Sequence, residues 1–186
     1  IWFKAKKRNH LACGGCLMDQ KQKNLDPRPG RRIKNWRDGD GNLIDLLVAY
    51  TADAKLSQNL STESQVEAYL QNAISESNLC FLNSKVNAAI RLVHLVEIDY
   101  AETQDPSLDL NRSTNPSDGY LDQLHTLRDQ YGADLVTVLI SQGDGNLGGI
   151  ANTMSYPSLD FGEKGFNVVV MDQIRFIQEH YLAEVL

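Results

Sequence analysis

Between residues 118 and 172 the chain passes from an amphipathic helical pattern to an apolar run, a glycine-rich corner, a more polar run and a second apolar run. No other feature limits the possible folds so tightly. Short apolar runs bounded by turn signals read as strands buried on both faces. Helices between such strands impose parallel pairing with right-handed crossovers, because a tight turn cannot join a parallel pair. Residues 133–141 form the most hydrophobic of these strands, and residues 166–171 form another. Residues 148–154 are more polar and follow a compact turn, so they are expected to run antiparallel at a sheet edge.

Upstream, residues 44–50 are a short apolar run that fits a buried strand. Thr62 and Gln65 have the spacing of a capping box. Val66, Tyr69, Leu70, Ala73, Ile74 and Ser77 then share one face of a long helix. Residues 88–100 are β-rich. Residues 101–116 hold two prolines and several Asp, Asn and Ser, and are expected to be a loop. Ser117 or Asp118 is expected to cap a second long helix carrying Leu121, Leu124, Leu127 and Tyr131, with Gly132 ending it. Ile174, Ile177, Tyr181, Leu182 and Val185 have helical spacing. The order β-α-β-α-β-β-β-α makes the fold class α/β.

The chain has 186 residues, enough for one domain with a real core. No apolar run approaches the roughly 18–20 residues that span a bilayer. The chain begins at Ile1 and shows no signal peptide, which leaves the compartment open. Residues 1–37 hold eleven Lys/Arg and two Asp/Glu, a charge of +9. The remainder holds seven and twenty-two, a charge of −15. A basic leader thus precedes an acidic body from residue 38 onward. The leader reads either as a solvated arm or as a segment that docks on the body or is cut from it, for which Arg31-Arg32 is a suitable site. An acidic body repels phosphates, which argues against nucleic acid as a partner. Of three cysteines, Cys13 and Cys16 form C-G-G-C in the leader, and Cys80 is expected to be a small core residue.

Gly143, Gly145 and Gly148 match G-x-G-x-x-G after a buried strand, the pattern of a Rossmann-type nucleotide binder. That motif must open a helix. Gly149 and Pro157 would cost such a helix about 1 and 3 kcal/mol, so a glycine-rich turn is the better reading. Asp160-Phe161-Gly162 lacks the companion motifs of a kinase, and no G-x-S-x-G elbow exists. Among His10, His94, His125 and His180 no two are four apart, so no helix presents a zinc-chelating pair. His94 and His125 read as structural residues.

Several strings in order resemble the reprolysin-like branch of the metzincin zinc metallopeptidases. They are residues 46–51 (LLVAYT), 78–84 with 90–93, 98–102 (IDYAE), 118–120 through 127–129, 131–136 (YGADLV), 148–151 (GGIA) and 166–170 (FNVVV). The resemblance covers roughly residues 44–175. It implies a zincin-like three-layer upper subdomain: a twisted, mostly parallel sheet of about five strands with one antiparallel edge strand and two long helices. It also implies a secreted endopeptidase in which zinc polarises a water and a glutamate takes its proton. The edge strand would hold an extended peptide or protein substrate by strand addition. Here Gly148, Gly149, Ile150, Ala151, Asn152 and Thr153 would supply it.

The family's H-E-x-x-H-x-x-G-x-x-H should follow the last strand. At that place the chain reads HYLAEVL over 180–186. The expectation is that the chain stops just before the motif, the alternative being that the first ligand is lost. Either way it carries no catalytic residue and no zinc ligand. It is expected to bind no zinc alone and to cleave nothing unaided. The resemblance further makes residues 1–37 a propeptide remnant, with Cys13 or Cys16 as a latency ligand to zinc. A rival reading is a non-catalytic peptide-binding domain of the same fold.

Overall fold

A computed structural model of the protein describes residues 42–143, 147–155 and 158–172. Strand β1 (Asn42–Thr51) leads into a short helix α1 (Ala52–Ser57) and a long helix α2 (Glu63–Asn83). Strand β2 (Ala88–Ile98) precedes helices α3 (Pro106–Thr114) and α4 (Gln123–Tyr131). Strands β3 (Leu135–Ile140), β4 (Gly149–Ala151) and β5 (Phe166–Val170) follow, with a 3-10 turn at Leu159–Lys164 before β5.

The strands form one sheet in the order β2-β1-β3-β5-β4. β1 pairs in parallel with β2 and β3, and β3 in parallel with β5. β4 alone is antiparallel, and it lies at the rim. Strand alternation sorts the core into two layers. Leu47, Ala49, Val136, Val138, Ile140, Phe166, Val168 and Val170 face α3 and α4, where Leu110, Leu121 and Leu124 meet them. Val48, Tyr50 and Leu139 face the other way and bury Ala54, Val66 and Leu70 of α1 and α2. The result is the expected three-layer α/β arrangement.

The capping box at the start of α2 is present in both directions: the Gln65 amide N–H donates to Thr62 Oγ1, and Gln65 Oε1 accepts from the Thr62 N–H. Gly132 ends α4 in the left-handed region, at φ 62°, which glycine adopts without a Cβ penalty.

Three expectations need correction. Residues 101–116 are not all loop, because α3 occupies Pro106–Thr114. Pro106 sits at the first helical turn, where its missing N–H costs nothing, and the Asp105 carboxylate accepts from the Ser107 and Leu108 amides. The second of the expected long helices starts at Gln123 and spans 9 residues. Asp118 instead closes a turn by accepting from the Tyr120 N–H, and Asp122 accepts from the amides of Asp118 and Gly119. Cys80 is half-buried and disulfide-bonded, so it is not a plain core residue. The helical pattern expected at 174–185, with His180 and Glu184, lies outside the described residues, as do Cys13 and Cys16.

Candidate functional site: an open sheet rim

The antiparallel pairing of β4 determines which of its backbone groups bond to β5 and which point away from it. The Val170 N–H donates to the Gly148 carbonyl at 3.0 Å, and the Asn152 N–H donates to the Phe166 carbonyl at 3.4 Å. Ile150 stands opposite Val168 between those two pairs. In such a ladder, residues that bond inward alternate with residues whose N–H and C=O point away. Gly148, Ile150 and Asn152 therefore face β5. Gly149 and Ala151 direct their N–H and C=O outward from the last strand of the sheet.

Side chains hold this rim in place. Ile150 packs on the core layer beneath α3 and α4. The Asn152 side-chain amide donates to Thr114 Oγ1 at 3.0 Å and to the Lys164 carbonyl at 3.1 Å. It thus ties the strand's end to α3 and to the entrance of β5. The same two bonds explain why the strand is shorter than residues 148–154: Asn152 turns toward α3, and Thr153 lies exposed beyond the strand. Gly149 belongs where a Cβ would press to 3.0 Å from the Val168 carbonyl oxygen. A side chain there would force β4 and β5 apart by a few tenths of an ångström.

Beneath the rim, α3 is anchored by Asp109, which is fully buried. Its Oδ1 accepts from Tyr100 Oη at 2.5 Å, from Thr103 Oγ1 at 2.9 Å and from the Thr103 N–H at 3.2 Å. Its Oδ2 has no hydrogen-bond partner among the described residues. Burial, with Asp109 next in effect, pushes the Tyr100 phenol well above its ordinary pKa. Arg112 donates to the same phenol oxygen and lies 3.7 Å over the Tyr120 ring.

At the carboxyl ends of β1 and β3, Glu102 gathers the sheet. It accepts from Thr51 Oγ1, from the Ser141 N–H and Oγ, and from the Gln142 N–H. Those bonds fix the exit of β3 just ahead of the glycine-rich corner. Sequence reasoning missed Glu102, Asn152 and Asp109 as organisers. An Asp-Pro pair reading as a helix start would have revealed α3, and with it Asp109. No local signal marks the other two, since their partners lie between 12 and 51 residues away.

The glycine-rich run does not open a helix. The residues after Gly148 form a strand, which overturns the Rossmann-type nucleotide reading. His94 stacks on Tyr131 with ring centroids 3.8 Å apart, and His125 Nε2 lies 3.2 Å from the Ser113 carbonyl. Both are occupied structurally. Among the described residues no group of three or more His, Cys, Asp or Glu side chains converges to hold a metal. No helix there is long and apolar enough to cross a membrane.

Residues 42–161 match the family described as Metallo-peptidase family M12B, Reprolysin-like, and the chain belongs to that family. Curated proteins named peptidyl-Asp metalloendopeptidase are similar to it. The one from Stenotrophomonas maltophilia (strain R551-3) is 34% identical over 105 residues, covering 52% of this chain and 25% of that protein. The one from Xanthomonas campestris pv. campestris is 32% identical over 117 residues, covering 62% and 27%. The chain thus spans about a quarter of their length. A solved structure titled "Structure of a chaperone-substrate complex" shares the fold, with a TM-score of 0.55 at 18% identity, over 70% of this chain and 23% of that one. Zinc is the metal the family implies for the full-length protein. The described residues do not furnish its ligands, so no chemical step is assigned to them.

Proposed function

We propose that this chain supplies the substrate-holding part of a secreted, zinc-dependent endopeptidase. An extended peptide lies along β4 and adds a strand to the sheet. Its backbone bonds to the outward N–H and C=O groups of Gly149 and Ala151, flanked by Gly148, Ile150, Asn152 and Thr153. The observation that carries this reading is the pairing of β4, which turns those groups away from β5 with no further strand beside them among the described residues, at a rim whose inner side is anchored. Membership of a metallopeptidase family supports a peptide as the ligand. Peptides containing aspartate are the first substrates to try, since the named relatives are peptidyl-Asp endopeptidases. Secretion is supported by the disulfide at Cys80, because such bonds persist in oxidising compartments.

Ala151→Pro in the full-length protein tests the reading. Proline at an edge strand removes an outward N–H and leaves the inward ladder intact. One lost backbone bond is worth about 1–3 kcal/mol, so kcat/KM for peptides should fall roughly ten- to a hundredfold. The melting temperature should stay nearly unchanged. Unaltered kcat/KM would remove β4 from substrate binding. Peptide binding without turnover in the full-length protein would instead favour the non-catalytic module.

A further inference from the structure

We infer that Glu102 is a positioning residue. Its carboxylate sets where the β4 rim begins relative to where the chain leaves β5, and so where a peptide on the rim lies relative to the reacting centre of the full-length protein. This inference rests on the peptide-holding role of β4 proposed above.

Polar side chains are costly to bury unless they are bonded. Thr51 and Ser141 are buried at the carboxyl ends of β1 and β3, and both turn to the same carboxylate. The Thr51 hydroxyl donates to Glu102 Oε1. The Ser141 N–H donates to Oε1 at 2.8 Å and to Oε2 at 2.9 Å, and the Ser141 hydroxyl donates to Oε2 at 2.5 Å. An ionised carboxylate only accepts, so one side chain satisfies donors from two strands at once. In open α/β sheets the crevice outside the carboxyl ends of the strands is where ligands bind. Here the chain's own carboxylate joins two of those ends.

The consequence reaches the two later strands. Ser141 is bonded on two sides: its N–H and hydroxyl go to Glu102, and its carbonyl accepts from the Asp172 N–H at 3.0 Å, two residues past the end of β5. The Met171 carbonyl accepts from the Gln58 side-chain amide at 3.0 Å. Gln58 ends α1, and Thr51, held by Glu102, caps its start. On the other side, the Gln142 N–H donates to Glu102 Oε2 at 3.4 Å. Gly143 then passes between α3 and β5, where a Cβ would come within 2.9 Å of Pro106 Cγ and 3.2 Å of Val170 Cγ2. The Val170 N–H donates to the Gly148 carbonyl, just ahead of β4. The start of the rim and the exit of β5 are thus both referred to one carboxylate.

Glu102 touches neither the β4–β5 ladder nor the Asn152 brace. Its loss should therefore leave the rim able to hold a peptide, while letting rim and β5 exit shift against each other. A misplacement of about 1 Å far from the chemistry is enough to slow a reaction by up to roughly a hundredfold.

Steady-state kinetics of the full-length protein on a peptide substrate test the assignment. Glu102→Ala should lower kcat roughly ten- to a hundredfold and leave KM within about twofold, the pattern of misplaced reacting groups rather than lost binding. Glu102→Gln keeps an acceptor oxygen for Ser141 and should retain most of the wild-type kcat. In chelator-treated protein the Asp172 amide should exchange faster in Glu102→Ala than in the wild type, while Ile150 should not change. A wild-type kcat in Glu102→Ala, a Gln variant as impaired as the Ala variant, or an unchanged Asp172 amide overturns the inference. Should Glu102→Ala fail to fold, Ser141→Ala, which removes one hydroxyl donor, must show a smaller fall in kcat; an unchanged kcat there overturns it equally. Failure of the rim itself would show differently, as an unaltered kcat/KM in Ala151→Pro.

Discussion

The two rims of the sheet are built to opposite plans. β2 is 11 residues long and its outer edge is guarded. The Asn78 side chain of α2 acts as a substitute strand there: Nδ2 donates to the Ile90 carbonyl at 2.9 Å, and Oδ1 accepts from the Ile90 N–H at 2.7 Å. Beside it, Arg91 makes a bidentate pair with Asp45, and a charge at a sheet edge discourages pairing with another chain. β4 is 3 residues long, carries no charge, and turns Gly149 and Ala151 outward. Unpaired edges are a hazard that folds blunt wherever they serve no purpose. One rim is capped at Ile90 by a side chain, while the other has no further strand beside it among the described residues and is braced from behind. That contrast supports a docking role for β4.

The strongest way to break the contrast is to open the guarded rim. Asn78→Ala leaves the N–H and C=O of Ile90 without their partners, at a cost of about 2 kcal/mol. The melting temperature should fall by roughly 4–8 °C in a domain of this size, and light scattering should reveal self-association. Asn78→Asp keeps the acceptor and loses the donor, so about half the loss is expected. A neutral Asn78→Ala would mean that β2 needs no guard.

Weakening the brace behind β4 should have a smaller effect. Tyr100→Phe takes one of three hydrogen bonds from buried Asp109 and should cost about 1–2 kcal/mol near neutral pH. The pH dependence carries a definite sign. Burial and Asp109 raise the pKa of Tyr100 in the folded state. Its stabilisation is therefore complete below the unfolded tyrosine value of about 10 and fades as pH climbs toward the folded value. Urea titrations from pH 8 to 11 should show the wild type losing stability more steeply above pH 10 than Tyr100→Phe. Equal slopes would place Tyr100 outside the brace.

The smallest effect belongs to Arg91→Met. The arginine side chain is 53% exposed, and ion pairs of that kind contribute little, so the melting temperature should barely move in thermal denaturation. A larger loss would make charge, rather than Asn78, the main guard of β2.

The strands and the long helix were legible in the sequence because their signals are local. Val136, Val138 and Ile140 alternate toward one layer, and Thr62 and Gln65 cap α2 where their spacing says they should. The antiparallel rim was legible from polarity and glycine content. What stayed hidden depends on distant partners. Pro106 reads as a breaker until Asp105 is seen capping it and Asp109 and Leu110 are seen buried. Asn152 ends β4 only because Thr114 and the Lys164 carbonyl lie within reach. Cys80 looks like a core residue in any reading that stops at its helix.

Amide hydrogen exchange on the full-length protein, with and without a substrate-like peptide, tests the open rim most directly. Without peptide, Gly149 and Ala151 should exchange quickly, while Ile150 and Ile90 stay protected by their partners. With peptide, Gly149 and Ala151 should slow and Ile90 should not change. Slow exchange at Gly149 and Ala151 before peptide is added, or peptide protection appearing along β2 instead, would contradict this account.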